Sequence, residues 1–313
     1  MSTPSNTAQP PSSLAITKAV EILRAGGIVG MPTETVYGLA CDAGNPAAVA
    51  RLYKTKGRPS FNPLIAHVPN LRIASAIGDM SPEALQLAAK GWPGPLTLVV
   101  PLLDDTKVCD LARAGLGSVA MRQPAHPVAQ QLLEAFDGPL VAPSANLSGK
   151  ISPTTALHVA TDLAGKVDYL LDGGACEIGI ESTIISCLSN PPTLLRPGAF
   201  DAHDYVAATQ DETKPLSPGA LSRHYAPDAT LRLNAVTPIE GDAYLAFGPF
   251  DVRPGQLCLN LSETADLGEA ATNLFAMLRR LDTKAARIAV APIPMTGIGL
   301  AINDRLARAA KRD

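Results

Sequence analysis

Lys56 and Arg58 flank Gly57 in the stretch Tyr53-Lys54-Thr55-Lys56-Gly57-Arg58-Pro59-Ser60-Phe61-Asn62-Pro63-Leu64, where an apolar helical pattern stops. Gly57 and Pro59 forbid the helix from continuing, so these cations belong to a rigid turn. Arg offers a planar fork and Lys a point charge, a combination suited to gripping a polyphosphate or a carboxylate. A charged helix end is the plainer alternative, since cations favour helix C-termini in any case. Three further stretches carry compatible chemistry. Pro32-Thr33-Glu34-Thr35-Val36-Tyr37-Gly38-Leu39 sets hydroxyls and one acid after a short apolar run. Pro143-Ser144-Ala145-Asn146-Leu147-Ser148-Gly149 follows Leu140-Val141-Ala142, and its Ser144 and Asn146 can donate to phosphate oxygens. Arg196-Pro197-Gly198 puts one more cation at a turn. The first two of these also read as ordinary polar turns. Ser118 and Arg122 end a short apolar segment and, four residues apart, share one face of a strand. His67 closes Leu64-Ile65-Ala66, but a lone His is more often packed than catalytic.

The elements that must hold these residues follow an α/β rhythm. Ile16, Ala19, Val20 and Leu23 recur at helical spacing before Gly26-Gly27, and Ile28-Val29-Gly30-Met31 reads as a buried strand. Asn45-Pro46 caps a helix that runs into the cationic turn, and Ser81-Pro82-Glu83 opens another. His126-Pro127 opens a helix ending near Phe136, and 154–164 is a further helical stretch. Glu181 to Ile185 and Thr193 to Arg196 form a strand pair through Asn190-Pro191-Pro192. Several polar loops thus follow strands directly, where sites gather in open α/β sheets. Residues 201–228 lack a clear period and read as a linker or lid. The α/β pattern resumes at Ala229, with strands near Leu231, Tyr244 and Gln256, a helix from Glu263 to Leu281, a strand at 288–291 and a last helix from about Leu300. Gly297-Ile298-Gly299 before it is a weak phosphate-loop signal.

The 313 residues are 46% apolar, 18% charged and only 4% aromatic, which fits an α/β protein with room for two domains. A net charge of -3 disfavours a protein whose main task is coating nucleic acid. Five scattered cysteines without a Cys-x-x-Cys pair point to free thiols in a reducing, cytoplasmic setting rather than to disulfides or zinc. The Ser/Thr/Pro-rich start reads as a disordered tail, and no run approaches the ~20 apolar residues of a membrane span. No P-loop or dinucleotide glycine fingerprint occurs, so side chains must hold any nucleotide.

The four motifs, in this order and spacing, resemble the YrdC-like threonylcarbamoyl-AMP synthase family. Ser217-Pro218-Gly219 to His224-Tyr225-Ala226-Pro227 and the C-terminal region resemble its longer, two-domain members. The resemblance implies a twisted mixed α/β sheet with a concave basic cavity and a smaller Rossmann-like C-terminal α/β domain. The corresponding divisions are a tail at 1–13, a catalytic domain at 14–200, a linker or lid at 201–228 and the C-terminal domain at 229–313. It implies a nucleotidyltransferase that makes threonylcarbamoyl-AMP and pyrophosphate from L-threonine, bicarbonate and ATP. A downstream tRNA threonylcarbamoyl transferase would then use the product on an adenosine beside the anticodon; a weak tRNA contact with this chain stays open. By the same resemblance Lys56, Arg58, Asn62, Ser118, Ser144, Ser152 and Arg196, with the backbone at Ala142, hold ATP. Thr35, His67, Arg122 and Ser182 hold L-threonine, and Lys56, Arg58, Ser144 and Asn146 form the catalytic set. Tyr225 either reaches the nucleotide from a closing lid or anchors the linker on apolar surface. Mg2+ is expected on ATP phosphates and water, for want of a carboxylate cage. Two alternatives remain: a carbamoyltransferase of hydrogenase maturation, whose zinc-finger-like cysteines are missing here, and a double-stranded RNA-binding module without catalysis.

Overall fold

A computed structural model describes residues 12–104, 106–208, 213, 215–218, 224–252 and 255–311. The chain begins with α1 (Ser13–Arg24), β1 (Val29–Met31), β2 (Gly38–Asp42), α2 (Pro46–Lys56), β3 (Ile65–His67), α3 (Leu71–Ser75) and α4 (Pro82–Gly91). It continues through β4 (Leu96–Pro101), β5 (Ser118–Arg122), α5 (Pro127–Phe136), β6 (Leu140–Val141), α6 (Ala156–Asp162), β7 (Tyr169–Leu170), β8 (Thr183–Ser186) and β9 (Thr193–Arg196). The last part holds β10 (Thr230–Arg232), β11 (Ala243–Ala246), β12 (Cys258–Asn260), α7 (Leu267–Asp282), β13 (Arg287–Val290) and α8 (Gly299–Ala310).

Most of the tail expected at 1–13 lies outside the described residues. Its end does not behave as tail: the Ser12 hydroxyl accepts from the Ala15 N–H at 3.1 Å, and Ser13 is already helical. A Ser N-cap ahead of an apolar stripe is enough to start the helix there. Gly38 and Leu39, read as the end of a loop, instead open a strand that runs to Asp42. Its small residues have little strand preference, but β1 and β6 pair with it antiparallel on either side, and pairing overrides propensity.

Nine strands form one mixed sheet in the order β7-β1-β2-β6-β3-β5-β4-β8-β9. Alternate residues face opposite sides, so Leu39 and Cys41 enter the large core under α2 and α4 while Ala40 joins the layer under α1 and α5. β3 runs parallel to β5 with His67 opposite Arg122, and β4 runs parallel to β8 with Leu96 opposite Thr183. The expected strand pair β8–β9 is antiparallel. A second sheet, β10-β13-β11-β12, is parallel throughout and carries α7 and α8. Among the described residues no helix is long and apolar enough to cross a membrane.

The two sheets share a core. Val36, Ile151 and Ile180 from loops of the first sheet, with Tyr225, pack in one cluster with Leu274, Phe275, Leu278 and Ile302. Arg279 of α7 grips Asp162 with both terminal nitrogens at 2.9 and 2.6 Å and also donates to the Ile151 and Ser152 carbonyls. The Thr272 hydroxyl donates to the Glu177 carbonyl at 2.7 Å. Gly179 lets the backbones meet: its φ is +80°, and a Cβ there would lie 2.5 Å from Thr272 Cα. Gly179→Ala should therefore cost about 2–4 kcal/mol and lower the thermal midpoint by several degrees. A midpoint equal to wild type in thermal denaturation would contradict this packing.

Candidate active site

Gly57, in the left-handed conformation, closes α2 and turns Arg58 away from the helix axis. The Arg58 guanidinium donates to Asn62 Oδ1 at 2.6 Å and to the Pro63 carbonyl at 3.0 Å, which fixes it along the wall of a cleft. Lys56 points elsewhere than expected. Its ammonium donates to the carbonyls of Ser144 and Asn146, and its own carbonyl accepts from the Ser148 N–H at 2.8 Å. Lys56 thereby pins the 144–148 loop to α2 from behind. Burial pushes its ammonium well below the usual lysine range, and burial lowers Arg58 to about 10.

The first polar loop meets the second. Gly38 bridges Ser144, and the Ala145 N–H donates to the Tyr37 carbonyl at 2.8 Å. Thr33 folds its loop locally, its hydroxyl donating to the Val36 carbonyl at 2.6 Å and accepting from the Val36 N–H at 3.2 Å. This turns Thr35 toward β5, where Arg122 Nη1 donates to its hydroxyl at 2.8 Å. Arg122 Nη2 donates to Glu34 Oε1 at 2.5 Å and Nε to the Gly94 carbonyl at 3.1 Å. Burial alone would raise the Glu34 carboxyl, but the charge and hydrogen bond of Arg122 hold it below the usual carboxylate range. His67 lies beside Arg122 in the sheet; burial, aided by that cation, lowers its imidazole to about 3, so the ring is neutral near pH 7. Its Nδ1 sits 3.2 Å from the Ile65 carbonyl, which leaves Nε2 as an acceptor.

The far wall comes from β8 and β9. Arg196 donates through Nε and Nη2 to the Ser182 carbonyl at 3.1 and 2.8 Å, and Thr97 and Ser182 hydroxyls lie 2.8 Å apart. Gly198 allows this approach, since a Cβ would stand 2.2 Å from the Thr183 nitrogen. Glu181 accepts from the Ser152 hydroxyl at 2.5 Å and from Arg305 Nε at 2.8 Å.

One cleft gathers these groups. Thr35, His67, Arg122 and Ser182 all line it, as do Arg58, Ala142, Ser144, Arg196 and Tyr225. Lys56, Asn62, Ser118, Asn146 and Ser152 are buried but do not line it. Asn62 orients Arg58, Ser152 meets Glu181, and the Asn146 amide donates to the Leu147 and Lys150 carbonyls at 2.8 Å. Sequence reasoning passed over Glu181, His224 and Thr33 as lining residues, and Arg305 behind them. The acid Glu181 stands next to Ser182, which was the one available signal.

Known proteins share this arrangement of elements. Residues 21–198 match a family model described as "Telomere recombination", and residues 181–311 match "Threonylcarbamoyl-AMP synthase, C-terminal domain". A Bacillus subtilis protein named threonylcarbamoyl-AMP synthase is 38% identical over 94% of this chain and 92% of its own. A protein of that name from Pyrococcus abyssi is 37% identical over 93% of each. A crystal structure of P. abyssi Sua5 complexed with L-threonine superposes with a TM-score of 0.86 at 36% identity, covering 94% of both chains. With both sheets and nearly the full length matched, the chain belongs to the threonylcarbamoyl-AMP synthase family.

Proposed function

We propose that this enzyme is a nucleotidyltransferase that joins L-threonine, bicarbonate and ATP into threonylcarbamoyl-AMP and pyrophosphate. The observation that carries the reading is that one cleft holds two chemistries together. Arg122, Thr35 and His67 gather where β3 pairs with β5, and Arg58, Ser144, Ala142, Arg196 and Tyr225 line the same cleft, with Ser182 bonded to Arg196. The likeness to a relative crystallised with L-threonine supports assigning the first group to the amino acid.

Arg122 spends only part of its fork on Glu34, Thr35 and Gly94, and its remaining N–H groups suit the threonine carboxylate. His67, neutral and with Nε2 as acceptor, suits the threonine ammonium or hydroxyl. The deprotonated threonine amine attacks the carbon of bicarbonate, an N–C bond forms and water leaves. A carbamate oxygen then attacks the α-phosphorus of ATP, and the bond to the β-phosphate oxygen breaks, releasing pyrophosphate with the electron pair. No protein nucleophile takes part; alignment and charge neutralisation supply the rate. Arg58 and Arg196 face the charge that builds on the phosphates. Lys56 and Asn146 act by holding the Ser144 loop in place, and Asn62 by fixing Arg58. Ser118 is buried outside the lining, and its share in nucleotide binding rests on the family resemblance. Mg2+ bound with ATP would be held by phosphates and water and would neutralise their charge, since Glu181, the lining carboxylate among the described residues, is already engaged by Arg305 and Ser152. The labile product passes to a tRNA-modifying transferase. Cations buried inside a cleft are ill placed to grip an RNA backbone, which favours catalysis over the RNA-binding alternative.

The direct test is ATP turnover with each amino acid, with and without bicarbonate. Pyrophosphate release should require both L-threonine and bicarbonate; release without either would reject the reaction. The two groups of residues should also separate kinetically. Arg58→Ala should cut kcat/KM for ATP by about 100-fold or more. Arg122→Lys should raise KM for threonine by about 10–100-fold while KM for ATP moves little, because Lys cannot reproduce the fork. Equal effects of Arg122→Lys on both substrates would reject the assignment.

A further inference from the structure

Arg305 heads the fully buried side chains in size, and it comes from α8 of the second sheet. A guanidinium with no exposed surface is costly unless its surroundings are built for it. Three of its neighbours are. Nε donates to Glu181 Oε2 at 2.8 Å, Nη1 donates to Asp304 Oδ2 at 2.6 Å, and the guanidinium carbon lies 5.3 Å from the centre of the Tyr225 ring. Nη2 is buried with no partner among the described residues. Glu181 and Tyr225 both line the cleft, whereas Arg305 stands behind them. Tyr225 itself holds an uncommon backbone conformation, φ +62°, with its ring stacked on Phe275 of α7 at 5.5 Å.

Glu181 is the difficulty that Arg305 resolves. An ionised carboxylate in the wall of a cleft that accepts a triphosphate repels it. Its Oε1 takes the Ser152 hydroxyl, but a neutral donor does not cancel a charge. Arg196 helps from a distance; the direct ion pair is with Arg305. The same guanidinium supports the face of Tyr225, so one residue sets both the charge and the shape of this wall.

We propose that Arg305 is a positioning residue for the nucleotide end of the cleft, acting through Glu181 and Tyr225, so that the second sheet completes the ATP pocket of the first. This rests on the synthase reading above.

Arg305→Met removes the charge at similar length. It should raise KM for ATP about tenfold or more and leave KM for threonine within about threefold. Arg305→Lys, which keeps the charge but not the planar fork, should raise KM for ATP less than Arg305→Met does. Removing the orphaned carboxylate as well, in Arg305→Met/Glu181→Gln, should recover most of the lost ATP affinity, as coupled partners do. Threonine- and bicarbonate-dependent pyrophosphate release reads all four proteins, with thermal denaturation reporting folding. An Arg305→Met enzyme within about twofold of wild type for ATP, or equal losses for both substrates, overturns the proposal. So does a double variant no better than the single one. Should Arg305→Met fail to fold, the charge-free double variant decides: KM for ATP within about tenfold of wild type supports the proposal, and a larger rise overturns it. A wild-type protein without threonine-dependent turnover overturns the synthase reading and this inference with it, whereas an active wild type beside an unaffected Arg305→Met overturns the inference alone.

Discussion

Positive charge without enough negative charge to match it organises this protein. Lys56, Arg58, Arg122, Arg196 and Arg305 are each at most 9% exposed, and among the described residues the buried Glu34 and Glu181, with the partly covered Asp304 beside Arg305, are the carboxylates that answer them. Taking an ion out of water costs several kcal/mol, so an excess of buried cations is tolerated only where something else holds them. Here backbone carbonyls do much of that. Arg122 reaches Gly94, Arg58 reaches Pro63, Arg196 reaches Ser182, and Lys56 reaches Ser144 and Asn146. Carbonyl dipoles steady a cation but leave its net charge intact, and the cleft is left with a standing preference for anions.

The same bonds shape the walls. Arg122 ties down the 32–37 loop after β1, Lys56 the 143–149 loop after β6, and Arg196 and Arg305 the segment before β8, while Arg58 fixes its own turn through Asn62 and Pro63. A hydrogen bond to a charged group contributes about 1.5–3 kcal/mol, enough to hold a polar loop in one conformation. The groups that attract an anion therefore also rigidify its surroundings, and electrostatic preorganisation comes from the scaffold rather than from motion at the moment of reaction.

Much of this was legible in the residues. Gly57 and Pro59 stop α2 whatever the tertiary structure, so the cationic turn could be read locally. Ser118 and Arg122 shared a strand by period alone, and the polar loops after β1 and β6 followed from apolar runs ending in Ser, Thr and Asn. Other features depend on pairings that local patterns do not encode. Lys56 and Arg58 look alike in sequence, yet one turns inward to carbonyls and the other along the cleft, a choice made by the 144–148 loop nearly ninety residues away. β2 exists because two neighbours pair with it. Arg305 sits on a helix whose sequence shows an ordinary amphipathic pattern, and its partner Glu181 is 124 positions distant. His67 could be read as packed or functional; its place opposite Arg122 was fixed only by parallel pairing of β3 with β5.

The contacts between the sheets fall unevenly along the cleft. Arg279 meets the carbonyls of Ile151 and Ser152, Thr272 meets Glu177, and Tyr225 stacks on Phe275. These contacts adjoin Ser152, Glu181 and Tyr225, and through Glu177 they also reach the 32–37 loop, where the Glu34 carbonyl accepts from the Ile178 N–H at 2.8 Å and Val36 enters the shared core. Thr35, His67 and Arg122 are instead bonded to Ile65, Glu34, Gly94 and one another, all within the first sheet. A carboxylate with a short side chain needs only a fork and a hydroxyl, which two adjacent strands and one loop can supply. Glu181 is the lining carboxylate whose direct ion pair comes from the second sheet, through Arg305, so the wall at Glu181 and Tyr225 is built by both sheets.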